Sequence, residues 1–123
     1  MINITRQIQQ WLREQDIQTG SLTVFVQHTS CSLMIQENAD PDVLIDMETF
    51  MSELVQDGHS SFRHRDEGED DMSAHIRMAL TQVSLTIPVL SGKAALGIWQ
   101  GVYLYEHRYL PMRRRVLLHV LGE

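Results

Sequence analysis

The sequence predicts an α+β domain, an antiparallel or mixed β-sheet with helices packed on one face. The length of 123 residues suits one compact domain with a single core. Two segments, 22–28 and 83–90, alternate apolar and polar residues as half-buried strands do, whereas 4–12 and 43–54 repeat apolar residues at helical spacing. Strands and helices do not alternate strictly, and the chain closes on consecutive strands, a pattern of α+β rather than doubly wound folds.

Taken in order, Ile4, Ile8, Trp11 and Leu12 make the apolar stripe of a first helix that is expected to end near Gly20. LTVFVQH then places Leu22, Val24, Val26 and His28 on one strand face and Thr23, Phe25 and Gln27 on the other. A second strand, SLMIQ, leads through ENADPD into a helix with Asp40 as N-cap and Pro41 in its first turn, where a missing amide donor costs nothing. Val43, Met47, Phe50 and Leu54 are its expected buried stripe, and Gly58 follows its end. After a charged loop containing Gly68, Asp71 or Ser73 caps a short helix with Met72, Ile76, Ala79 and Leu80 facing inward. VSLTIPVL is a strand in which Pro88 removes one ladder donor, marking an edge or a bulge. SGK is a turn, and ALGIWQGVYLYEH and RVLLHVLG are the final strands.

The net charge of −6 argues against a broad nucleic-acid surface. No segment approaches the ~20 apolar residues that span a bilayer, and no signal-peptide pattern opens the chain. A cytoplasmic protein is expected, and the single cysteine, Cys31, agrees with a reducing compartment as a small buried thiol. The basic run Arg113, Arg114, Arg115 offers guanidinium forks for a phosphate or carboxylate, or is a solvated strand start.

Six histidines are present, without HExxH, HxH or CxxC spacing. In FRHRDEGEDDMSAH, His64 and His75 bracket Asp66, Glu67, Glu69, Asp70 and Asp71. If Asp71 caps the helix, His75 lies one turn on, which suits either a divalent cation or an ordinary capped helix. FRHRDEG reads as a solvated approach to DDMSAH. The GIWQG stretch places Trp99 and Gln100 between glycines, as a pocket wall or as a bulge with a core aromatic.

QHTSCSLMIQENADPDV, DEGEDDMSAHI, SLTIPVLSGKAALGIWQGVYLYEHR and RRRVLLHVLGE together resemble the YjbQ family, also described as secondary thiamine-phosphate synthase-like proteins. The resemblance covers nearly the whole chain and implies one domain over 1–123, here without the family's usual leading strand, that assembles as a homotrimer with candidate sites near subunit contacts. It implies thiamine-phosphate synthase-like transfer of a hydroxymethylpyrimidine from its diphosphate to a thiazole phosphate. The alternatives are a metal-dependent hydrolase of a small phosphoester and a non-catalytic metal- or metabolite-binding trimer. The residues it points to are Asp71, His75, Gln100 and Glu106 for catalysis, Trp99, Arg114 and Arg115 for a phosphorylated small-molecule substrate, and His28, His75 and His107 for a divalent metal ion. Position 98 departs from the family pattern, carrying Ile98 where threonine is usual. Neither a membrane nor a nucleic acid is an expected partner.

Overall fold

The computed structural model describes residues 1–123. Its elements are β1 (Ile2–Asn3), α1 (Thr5–Arg13), β2 (Thr19–Val26), β3 (Cys31–Glu37), α2 (Pro41–Leu54), α3 (Glu69–Leu80), β4 (Ser84–Leu90), β5 (Lys93–Ala94), β6 (Gln100–Glu106) and β7 (Val116–Gly122). The α+β class is as expected, but the strands divide between two antiparallel sheets, ordered β1-β6-β3 and β5-β4-β2-β7. The division follows from partner choice. Although β2 and β3 are consecutive, β2 pairs with β4 and β7 while β3 pairs with β6.

Alternation decides what fills the core. Leu22, Val24 and Val26 of β2 and Leu85, Ile87 and Val89 of β4 meet Leu33 of β3 and Val102 and Leu104 of β6. Ile8 and Leu12 of α1 close this cluster. A helix of this length has little stability alone, and α1 has no side-chain N-cap. Its two buried side chains, each contributing roughly 1.5–3 kcal/mol, hold it in place. Gln9 adds a two-way clasp on β5, donating to the Ala94 carbonyl and accepting from the Ala94 amide.

Several boundaries differ from the sequence reading. The helix α1 stops at Arg13, because Asp16 takes a left-handed conformation (φ 53°) that no helix can contain. A two-residue strand, β1, precedes it and pairs with β6. His28 lies beyond the end of β2, and residues 95–99 form a loop rather than the start of a strand. Asp40 caps α2 as expected, accepting from the Asp42 amide at 2.9 Å. The α2 stripe is not buried, however: Val43 and Met47 are half-buried and Phe50 and Leu54 exposed. This helix packs along β3, an edge strand, so only a narrow strip of it is covered. In α3 the inward face is polar, with Asp71, Ser73, Ala74 and Arg77 buried, while Ala79 and Leu80 are exposed.

Pro88 sits inside β4 without breaking its pairing to β2. A strand residue's N–H and C=O point to the same side, and the Pro88 carbonyl accepts from the Ala95 amide on the β5 side. The missing donor therefore faces the short outer strand. No helix is long and apolar enough to cross a membrane.

At the open end of the β2–β7 ladder Gly20 pairs with Gly122. A Cβ at Gly20 would stand 2.1 Å from the Leu121 carbonyl oxygen, and one at Gly122 would stand 2.1 Å from that of Thr19. Both obstacles are backbone, so the strands themselves must move apart. Gly20→Ala is expected to destabilise the fold by about 1–3 kcal/mol, read as a lower urea midpoint; a wild-type midpoint would contradict this close approach.

Candidate functional site

The segment between α2 and α3 doubles back on the first turn of α3. Gly68, at φ 100°, makes that reversal in a region which L side chains avoid. His64 is thereby carried over Asp71, a carboxylate 3% exposed in the third position of α3. Asp71 Oδ2 lies 2.7 Å from His64 Nε2 and 3.1 Å from His75 Nε2, one helical turn on. Glu67 Oε2 is 3.3 Å from the same His64 nitrogen. One ligand atom from each of His64, Glu67, Asp71 and His75 lies within 4.8 Å of all the others.

The His75 tautomer follows from its other contact. Nδ1 is 2.7 Å from the Thr29 carbonyl oxygen, which can only accept, so Nδ1 carries the hydrogen. In a neutral ring Nε2 then presents a lone pair to a carboxylate oxygen that also has only lone pairs. This contact requires a positive charge between or upon the two groups, either a proton on Nε2 or a cation. A backbone carbonyl fixing one imidazole nitrogen so that the other can ligate is the usual outer-shell arrangement of metal-bound histidine. A tetrahedral centre with ligands at 2.0–2.2 Å would set them roughly 3.3–3.6 Å apart, so the close contacts to Asp71 would have to open and any pair near the 4.8 Å bound would have to close to hold one.

The charges around Asp71 favour its ionised form. Burial alone would raise the Asp71 carboxyl, but hydrogen bonding from His64 and Glu67 and the charges of His75 and Arg108 prevail, leaving its pKa at about 2. The hydrogen bond to Asp71 pushes His64 upward, ahead of the opposing effect of desolvation. Arg108 reaches in from the β6–β7 loop, with Nη1 2.5 Å from Asp71 Oδ1 and Nε 3.1 Å from Asp70 Oδ2.

Beside this group, Arg114 pairs through two nitrogens with Glu106 and donates from Nη2 to the Ser30 carbonyl at 3.1 Å. Glu106 and Arg114 thus satisfy each other and anchor the turn that carries Thr29. His28, on the same turn, accepts from the Arg115 amide at 2.6 Å through Nε2. Desolvation, followed by the Arg114 charge, lowers its pKa. A cleft of about 390 Å3 is lined by Gln27, His28, Arg113, Arg114 and Arg115.

Of the residues that the sequence brought forward, Asp71 and His75 meet in one group, with Glu106 at the end of β6 and Arg114, Arg115 and His28 on the loop and turn beside it. His107 is buried, with Nε2 2.8 Å from Ser32 Oγ, and His28 and His107 lie outside the four-residue ligand group. Trp99 and Gln100 are at the opposite end of β6 from Glu106, roughly 20 Å away at ~3.3 Å per residue. Gln100 Oε1 accepts from the Gly97 amide at 2.7 Å and so closes its own loop, while Trp99 is 62% exposed. His64, Glu67 and Arg108 were not among the predicted site residues. The spacings His64–Glu67 and Asp71–His75 were the available signal, but joining the two pairs depends on the Gly68 reversal.

The family described as UPF0047 protein YjbQ-like matches residues 1–123. A UPF0047 protein of Synechocystis is 52% identical over 121 residues, covering 98% of this chain and 82% of that protein. The UPF0047 protein YjbQ of Salmonella typhimurium is 41% identical over 107 residues, covering 87% of this chain and 77% of that one. Among solved structures, a conserved hypothetical protein of Thermus thermophilus superposes with a TM-score of 0.87 at 37% identity, covering 98% of this chain and 90% of its own. A hypothetical protein of Aeropyrum pernix gives a TM-score of 0.89 at 30% identity, covering 99% and 88%.

His107 generates a pH dependence. Burial, and then the Arg77 charge, lowers its pKa to about 4, below the ~6.5 of an unfolded histidine. Between those values the unfolded chain binds a proton that the folded chain refuses, so stability present above pH 6.5 is lost as pH falls toward 4, on the order of 3 kcal/mol in all. His28 contributes with the same sign. Urea midpoints of wild type and His107→Gln across this range are expected to show a shallower acid loss in the variant; parallel curves would refute the assignment.

Proposed function

The chain belongs to the YjbQ-like UPF0047 family, and on that premise we propose that it is a divalent-cation-dependent enzyme acting on a phosphorylated small molecule, with thiamine-phosphate synthesis as its reaction. The observation that carries the reading is the convergence of one ligand atom each from His64, Glu67, Asp71 and His75 within 4.8 Å of one another, with His75 Nδ1 committed to the Thr29 carbonyl so that Nε2 faces Asp71 Oδ2. The cation's residues would be His64, Glu67, Asp71 and His75, a nitrogen and oxygen set suited to zinc or manganese.

In the proposed reaction the thiazole nitrogen attacks the methylene carbon of the pyrimidine diphosphate. The carbon–oxygen bond breaks, and pyrophosphate leaves with the electron pair. A strong base is not needed, since no proton is removed from the attacking nitrogen. The difficulty is charge on the leaving group, met by preorganised positive groups. A divalent cation in this site would supply part of that neutralisation. Exposed Arg113 and Arg115 would supply the rest, on the cleft wall shared with His28. Arg114, committed to Glu106, would position the turn rather than bind the anion. Trp99 and Gln100 could take part in this site only from a second copy, which accords with a homotrimer; exposed Phe50 and Leu54 on α2 and Leu117 and Leu121 on β7 supply apolar surface for such contacts. One domain over 1–123 located in the cytoplasm completes the proposal.

Purified protein given both substrates and a divalent metal is expected to form thiamine phosphate, with Asp71→Ala and His64→Ala slower by more than about 100-fold. No product at enzyme levels that reveal slow turnover would overturn the synthase reading. Metal content by elemental analysis should fall in His64→Ala and His75→Ala, and equal content in all three proteins would remove the cation site.

A second reading, hydrolysis of a small phosphoester, is favoured by the exposure of His64 and Glu67, which leaves one side of the group open to water as catalytic metal sites require. Metal-dependent release of phosphate from simple phosphomonoesters, lost in Asp71→Ala, is its expected signature; release that continues undiminished in that variant would dismiss it.

A further inference from the structure

We infer that Arg108 is a positioning residue that makes Asp71 a one-oxygen ligand and holds the ligand group in register, an inference that rests on the metal reading above. Its guanidinium, 14% exposed, serves three acceptors with three nitrogens. Nη1 takes Asp71 Oδ1 at 2.5 Å, Nε takes Asp70 Oδ2 at 3.1 Å, and Nη2 donates to the Glu67 carbonyl at 2.8 Å. The two oxygens of Asp71 are thereby separated by role. Oδ1 faces the guanidinium and Oδ2 faces His64 and His75.

A free carboxylate can chelate a cation through both oxygens, and coordination number then rises. With Oδ1 held by a charge-assisted bond, chelation would require breaking that bond inside a nearly buried pocket. The same guanidinium fixes the backbone at Glu67, so two of the four ligand-bearing residues share one anchor. The anchor is itself restrained: the Tyr109 amide donates to Asp70 Oδ2 at 3.0 Å and the Arg108 amide to Glu106 Oε2 at 3.2 Å. Lysine could replace the charge but not the fork, because a single ammonium on a flexible stem does not reproduce planar, diverging donors.

Titration with Co2+, followed by visible absorption, tests this without reference to turnover. Wild type is expected to bind Co2+ with the intense bands of low coordination number. Arg108→Gln should bind about 10–100-fold more weakly, with weaker bands as Asp71 becomes two-oxygen. Arg108→Lys should recover affinity only in part. If Arg108→Gln does not fold, Asp70→Asn, which releases the Nε anchor and leaves all four ligands in place, is expected to lose affinity several-fold. Wild-type affinity and spectrum in folded Arg108→Gln, or in Asp70→Asn should it stand in, overturn the inference even if thermal stability falls, since a merely structural arginine would give that result. Absence of Co2+ binding by wild type would overturn the metal reading itself, and this inference with it.

Discussion

A carboxylate cannot be taken out of water without compensation, and Asp71 is nearly buried on the first turn of α3. Removing an ion from water costs several kcal/mol, so the surroundings of Asp71 must return that energy through charge and hydrogen bonds. They do so from separate parts of the chain. His64 comes from the loop before the helix, His75 from the helix itself and Arg108 from the loop after β6. Each of those loops would otherwise be a solvated connection. The charge on Asp71 thus accounts for the acidic loop and the β6–β7 loop both being drawn onto the first turn of α3.

The same logic extends along α3. Arg77, two turns after Asp70, is buried and donates to the Val55 carbonyl at 2.7 Å and to Asp57 Oδ1 at 3.1 Å. Asp57 also accepts from Ser73 and from the Tyr109 hydroxyl. One carboxylate thus ties the end of α2, the middle of α3 and the β6–β7 loop together. Adjacent residues of that loop, Arg108 and Tyr109, hold the helix at two heights, through Asp70 and Asp71 and through Asp57. A helix with so polar a buried face is fixed in rotation far more strictly than one held by apolar contacts alone, because a small turn would strand several donors at once. That stiffness sets where Asp71 and His75 point.

These dependencies explain what could be read from the sequence. Period-two alternation in β4 located its buried side correctly at Leu85, Ile87 and Val89, since a strand of a two-layer core has one apolar face whatever its neighbours. The Asp40–Pro41 start of α2 was legible because capping is local. The α2 stripe was less so: periodicity reveals that a helix has an apolar side, not that an edge strand covers only part of it. For α3 the pattern misled, because Met72, Ile76, Ala79 and Leu80 resemble a core stripe while the buried face is polar. His64 looked like a solvated residue because its role depends on a positive φ at Gly68 and a partner seven positions on. Nothing in local spacing could bring Arg108 to Asp71, since that pair joins residues 37 positions apart.

The position of Trp99 and Gln100 is a consequence of strand geometry. The strand β6 lies between β1 and β3 over its central residues and is nearly fully extended, so its ends cannot approach each other. Glu106 and Arg114 belong to the end near α3, whereas Trp99 and Gln100 belong to the end where Asn38 donates to the carbonyls of Ile98 and Gln100 at 3.3 Å. Gln100 spends its side-chain oxygen on the Gly97 amide, and Ile98 and Trp99 project from the loop so closed at 81% and 62% exposure. An aromatic presented on a braced loop has little conformational freedom left to lose on contact. The four side chains gathered around Asp71, at the far end of β6, are out of that loop's reach within one chain.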